Sequence, residues 1–235
     1  VEIVGVEDND GNDATYEEAV IQNSTNAVMT TVAGDKYSIG YISLGSLNDT
    51  VTSINIDGIE ATTENIKSGA YPIARPFNIA YKDGLSELAQ DFVDFIMSSD
   101  GQAIVADNSL IEAADGAAYS AAGLSGTIVV GGSTSVTPIM EKLAEAYEGL
   151  NEGVSIEIQS TGSSAGMTAA MEGSADIGMA SRDLKDSEKA ELSYQAIAID
   201  GIAVIVNNEN TINDLSMDEI KSIYLGETTT WSEIE

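Results

Sequence analysis

The spacing of hydrophobic positions changes repeatedly along the chain, and each change marks an element. Residues 37–42 and 51–56 alternate apolar and polar, as half-buried strands do, and the second run meets a turn pair, Asp57-Gly58. Residues 75–81 read as extended, because Pro76 disfavours helix at the residue before it. Leu88, Phe92, Phe95 and Ile96 then fall at i, i+4, i+7 and i+8, one apolar helical face, with a stop expected near Ser99-Asp100-Gly101. Residues 112–125 are rich in Ala, Gly and Ser and lack a period, which reads as a linker.

Beyond that stretch the rhythm becomes strand, loop, helix. Thr127-Ile128-Val129-Val130 is a buried-strand run, followed by a Gly/Ser/Thr loop. A helix comes next, with Pro138 in its first turn and Met140, Leu143, Ala144 and Tyr147 on one face. Residues 155–159 alternate as a strand, and a second Gly/Ser loop opens a helix carrying Met167, Ala170 and Met171. Residues 202–206 form another apolar strand. Capping boxes at Thr15/Glu18 and Ser216/Glu219 predict helix starts, the second leading into Ile220, Ile223 and Tyr224. Strand and helix alternate without an internal repeat, so the class is α/β.

Composition narrows the functions open to such a chain. Its 235 residues suit one larger domain or two lobes. Thirty-nine acidic residues against nine basic ones give a net charge of −30, a surface that repels nucleic acid and anionic lipid. There is no Cys and no His, which excludes Cys/His zinc sites, cysteine nucleophiles and Ser-His-Asp triads. Carboxylates are too numerous for any pair to stand out as acid and base, so the expectation is a protein that is not an enzyme and carries no cofactor or metal. The acidic turn from Glu7 to Asp13 has calcium-like letters, but Gly11 is misplaced for an EF-hand and the segment reads as a solvated turn. No apolar run approaches the ~20 residues that span a bilayer.

The candidate chemistry lies in the two loops. Gly131-Gly132-Ser133-Thr134-Ser135-Val136-Thr137-Pro138 and Ser160-Thr161-Gly162-Ser163-Ser164-Ala165-Gly166 each lie between a strand and a helix N-terminus. Such a terminus offers unpaired N–H groups and about half a positive charge, Gly admits close approach, and Ser/Thr add hydroxyl donors. Together these suit a tetrahedral oxyanion, though the same hydroxyls could simply cap their helices. Arg182 follows, one of two arginines, suited either to fork onto an oxyanion or to pair with a carboxylate. Neither loop is a Walker A or Rossmann motif.

Gly132-Ser133-Thr134-Ser135-Val136, Gly162-Ser163-Ser164-Ala165-Gly166, Ala175-Asp176-Ile177-Gly178, Ser181-Arg182 and the run from Asp200 to Asn207 resemble, in order and spacing, the phosphate-binding components of bacterial ABC importers. Asn23-Ser24-Thr25, Ile39-Gly40-Tyr41, Arg75-Pro76 and the helix with Phe92 and Phe95 resemble that family's C-terminal half, here placed first. The resemblance implies a circularly permuted, two-lobed type II periplasmic-binding-protein-like clamp. It implies a continuous lobe at residues 77–206, with a linker at about 112–125, and a second lobe built from residues 1–75 and 207–235, hinged near 75–77 and 206–208. Thr134, Ser135, Ser163, Ser164, Ser181 and Arg182 would be the phosphate ligands. Partners would be inorganic phosphate and a membrane ABC permease, without nucleic acid, and the location would be extracellular, as a cell-surface lipoprotein, or periplasmic. The family's Arg and Ser-Gly-Thr loop of the other lobe would fall outside both ends of this sequence, which leaves open a fragment of a tandem protein, an engineered permutation, or a chain whose second lobe is completed by a partner such as a homodimer mate. The other reading open at this point is a fold-retaining structural or interaction module, such as a fragment of a tandem protein, that has lost phosphate binding.

Overall fold

The computed structural model describes residues 2–8 and 12–234. In chain order the elements are α1 (Thr25–Gly34), β1 (Ile39–Ser43), β2 (Thr52–Ser53), β3 (Asn55–Ile56), α2 (Thr63–Lys67), β4 (Ala74–Tyr81), α3 (Glu87–Met97), α4 (Ser99–Asp107) and β5 (Ile111–Glu112). There follow β6 (Ser125–Gly132), α5 (Thr137–Leu150), β7 (Gly153–Ser160), α6 (Ser163–Glu172), β8 (Ile177–Ala180), α7 (Asp186–Lys189), β9 (Ser193–Val206), β10 (Asp214–Leu215) and α8 (Met217–Leu225). Two compact units divide them, Val1–Ala74 with Gly201–Glu235, and Arg75–Asp200.

The Arg75–Asp200 unit is a mixed sheet in the order β9–β4–β8–β6–β7, with β5 paired to β9. Strand β6 is its parallel centre, with Gly132 opposite Ser160 of β7 on one side and Met179 of β8 on the other. The amphipathic faces read from the sequence meet here: Phe92, Phe95 and Ile96 of α3 and Met140, Leu143 and Tyr147 of α5 join Ile128, Val130 and Ile177 in one core. Complete burial of such a side chain contributes about 1.5–3 kcal/mol. Arg75 Nε donates to the fully buried Asp200 at 3.1 Å, and its guanidinium lies 5.7 Å from the Phe77 ring centroid.

The other unit draws on both sides of the chain. Strands β1 and β2 pair antiparallel with the last residues of β9, Ile39 opposite Val206 and Thr52 opposite the same residue. Strand β3 runs parallel to β10. The Asp57-Gly58 turn has positive φ at both residues, 53° and 76°, and closes a bridge between Ile56 and Ile59. The sequence reading carries the continuous lobe to residue 206, whereas the division lies at Asp200/Gly201, because residues 202–206 of β9 take β1 as their partner.

Three local expectations need correction. Thr15/Glu18 starts no helix: Asp13 Oδ1 takes the Thr15 N–H and hydroxyl at 2.8 and 2.6 Å, and Glu18 instead accepts from Tyr16. The stop at Ser99-Asp100-Gly101 is a new start, since Ser98 ends α3 and caps α4 through Gly101 N. The Ala/Gly stretch is no loose tether. Gln102 Oε1 accepts from Ala113 N and Asp100 Oδ2 from Tyr119 N, while the Tyr119 and Tyr147 hydroxyls both donate to Asp91 Oδ2, at 2.5 and 2.6 Å. The acidic turn lies partly outside the described residues. Its flanks are closed by Asn12 donating to Asp8, and no group of three or more metal-ligating side chains occurs among the described residues.

Candidate oxyanion site

Three parallel strands, β7, β6 and β8, deliver three loops to one edge of the Arg75–Asp200 unit. Gly132 is the junction. Its carbonyl accepts from Thr161 N at 2.9 Å and Gly162 N at 2.8 Å, and the next residue, Ser133, donates its N–H to Met179 O at 3.0 Å. Gly132 has φ +142°, and a Cβ there would come within 2.3 Å of the Met179 carbonyl oxygen. A Cβ on Gly166 would stand 2.4 Å from the Gly132 Cα. Glycine at 166 therefore lets helix α6 lie against β6, and glycine at 132 lets the end of β6 lie against β8.

The loop after β6 is closed largely by its own residues. Ser133 is 2% exposed, and its hydroxyl oxygen accepts from Ser135 N and Val136 N at 3.2 and 3.4 Å. Thr137 hydroxyl reaches Ser133 O and Ser160 Oγ, both at 3.0 Å. Thr134 and Ser135 sit half-buried on this turn, directly before α5.

The loop after β7 is built otherwise. Glycine stands at the N-cap of α6, φ +94°, and offers no capping side chain. Ser163 Oγ accepts the Ser181 N–H at 3.3 Å, and Ser164 Oγ accepts from an Arg182 terminal nitrogen at 3.4 Å. A hydroxyl oxygen that already accepts an N–H keeps its own proton for another partner, so both serines present donors at the end of α6 that carries the positive dipole. The structure thus brings Ser163 to Ser181 and Ser164 to Arg182, while Thr134 and Ser135 stand on the neighbouring loop tied in through Gly132.

Arg182 takes a carboxylate partner, one of the two roles the sequence leaves open. Its two terminal nitrogens grip Glu188 with both bonds at 2.8 Å, and one of them donates to Asp183 O at 2.9 Å. Glu188 is 5% exposed and accepts in addition from Lys185 N. Hydrogen bonding from Arg182 holds the Glu188 carboxyl below its ordinary value of 4.5, against burial, which raises it. Asn78, 3% exposed on β4, fixes the backbone here by donating to Arg182 O at 2.9 Å. Neither Asn78 nor Glu188 was legible as part of the site. Asn78 lies far away in sequence, and Glu188 is one of 39 acidic residues.

Set beside known proteins, residues 117–234 match a family model described as a PBP superfamily domain. The chain is 48% identical over 240 residues to phosphate-binding protein PstS 2 of Streptococcus agalactiae serotype V, covering all of this chain and 82% of that protein. It is 49% identical over 238 residues to phosphate-binding protein PstS 2 of Streptococcus pneumoniae serotype 4, with the same coverage. The crystal structure of a phosphate-binding protein of a phosphate ABC transporter from Streptococcus pneumoniae TIGR4 superposes with a TM-score of 0.79 at 49% identity, across 100% of this chain and 93% of that one.

Proposed function

Because this chain belongs to the PBP superfamily and, within it, to the PstS phosphate-binding proteins of ABC transporters, we propose that its Gly/Ser loops are the phosphate-binding surface and that it serves ABC import by binding, without turnover. The observation that carries this reading is the convergence on Gly132, which sets the starts of α5 and α6 side by side. Thr134, Ser135, Ser163, Ser164 and Ser181 supply neutral donors to the anion and Arg182 stands behind them. Many dipoles and few charges suit a protein of net charge −30, whose overall field opposes an anion while local N–H and O–H groups attract it.

The two units are, on this reading, the lobes of the clamp, with the chain crossings at Ala74/Arg75 and Asp200/Gly201 as its hinge. A segment order permuted relative to other members belongs to the same reading, and the relatives that match along the whole chain share the order seen here. The working place is outside the membrane beside a permease, in keeping with the absence, among the described residues, of a helix long and apolar enough to cross a bilayer. Tethering as a lipoprotein belongs to the same reading.

Isothermal titration of the anion-stripped protein with phosphate, with sulfate as control, tests the site. Saturable phosphate binding and no hydrolysis of a chromogenic phosphate ester is the expected result. Absence of heat from a folded protein would sink the proposal and leave a fold-retaining module.

A further inference from the structure

The Arg182–Glu188 couple has a geometry that a simple anion clamp does not need. Each terminal nitrogen of Arg182 carries two N–H groups, and all four are directed: two onto Glu188, one onto Asp183 O and one onto Ser164 Oγ. The carboxylate is buried behind the guanidinium and held on its far side by Lys185 N. One positive and one negative charge therefore stand together within reach of the first turn of α6, and the carboxylate offsets the guanidinium's charge for a ligand at that turn.

Resting on the phosphate reading above, we propose that Glu188 is a specificity-determining positioning residue. It locks Arg182 against Ser164 and cancels its charge, so that the loops select an oxyanion by donor geometry rather than by net charge. The chemistry behind this is valence. Sulfate is a dianion throughout the neutral and mildly acidic range, whereas phosphate is divided between mono- and dianion near neutrality and becomes a monoanion in mild acid. An uncompensated guanidinium at the site would favour the full dianion, because Coulomb attraction scales with ligand charge. A neutralised one keeps its N–H directed at Ser164, orients that hydroxyl, and adds no bias toward sulfate.

The test titrates phosphate and sulfate into the full chain at about pH 5.5, where phosphate is almost wholly a monoanion, and at two ionic strengths, for the wild type, E188Q and the double variant R182Q/E188Q, each checked by thermal unfolding. In E188Q the guanidinium is uncompensated, and the phosphate-to-sulfate affinity ratio should fall by about 10-fold, with a steeper salt dependence. The double variant is again neutral and should return the ratio towards the wild-type value, even if both affinities drop. A merely structural role for Glu188 would shift both anions alike and leave the ratio and the salt slope unchanged, which overturns the proposal. So does a double variant that keeps the E188Q ratio. If E188Q does not fold, R182Q decides with the double variant: alone it leaves Glu188 uncompensated and should raise the phosphate-to-sulfate ratio, which the double variant should return, and an R182Q ratio equal to that of the double variant overturns the proposal. A wild type that binds neither anion removes the phosphate reading itself, and this inference with it.

Discussion

The two loops share an alphabet and differ in what they do with it. Both follow a strand of the parallel β6–β7 pair, both carry Gly, Ser and Thr, and both open a helix. In the first, Ser133 turns inward, accepts from Ser135 N and Val136 N, and closes its own turn. In the second, Gly162 occupies the cap position and the serines look away from their helix, taking N–H groups from Ser181 and Arg182. Helix capping and ligand presentation were alternative readings of the same letters. The structure gives Ser133 a turn-closing role, and the function proposed above assigns the hydroxyls of Ser163 and Ser164 to a ligand. A hydroxyl's role is set by which backbone groups reach it first, and that depends on strands brought together from elsewhere in the chain.

Removing the contact that joins the loops breaks the comparison most severely. Gly166→Ala puts a methyl 2.4 Å from the Gly132 Cα and 2.5 Å from the Gly131 carbonyl oxygen. Both neighbours are backbone, so α6 must move. Thermal unfolding should show a loss of about 3 kcal/mol, with phosphate binding lost in titration. Serine-to-alanine changes then separate the two roles. S163A removes a donor to a charged ligand and should weaken phosphate by about 10–100-fold with little change in melting temperature. S133A should do the reverse, costing about 1 kcal/mol of stability while affinity changes by less than about 5-fold. If both variants lost affinity equally, the division between capping and presentation would be wrong.

The smallest effect is in acid. Glu188 titrates below its unfolded value, so its contribution to stability is complete above about 4.5 and is lost as pH falls through the lower folded value. Arg182 remains partly exposed, with a side-chain exposure of 28%, so the pair is screened and contributes below about 1 kcal/mol. Urea unfolding from neutral pH downward should show E188Q losing less stability than the wild type across that acid range. An identical slope in the two proteins would mean the pair contributes nothing to folding.

Periodic features were legible in the chain, because burial imposes a period on sequence. The face of Phe92, Phe95 and Ile96, the face of Met140, Leu143 and Tyr147, and the Ser216/Glu219 box all appear where spacing placed them. What stayed hidden depends on single hydrogen bonds. Asp13 captures Thr15 and removes a helix that the box pattern predicts. Ser98 serves α3 and α4 at once, so one polar cluster is both an end and a beginning. The stretch after β5 has linker composition, yet Gln102, Asp100 and Asp91 fasten it down, and side-chain bonds to distant residues leave no local signature. In the site, the serines and Arg182 were visible as letters, while Glu188, their electrostatic counterweight, was lost among many carboxylates.

The long strand β9 also orders events during synthesis. Residues 75–200 form a contiguous unit, complete in itself once its last residue has left the ribosome. The other unit has no such independence. Ile39 and Thr52 must both wait for Val206, and Asn55 for Asp214, before their ladders can form. The segment before residue 75 therefore waits for the segment after residue 200, while the unit between them has already had time to fold. For a nascent chain this sets a period of exposure in which β1 and β2 have no partner, and slowing translation beyond residue 200 lengthens it.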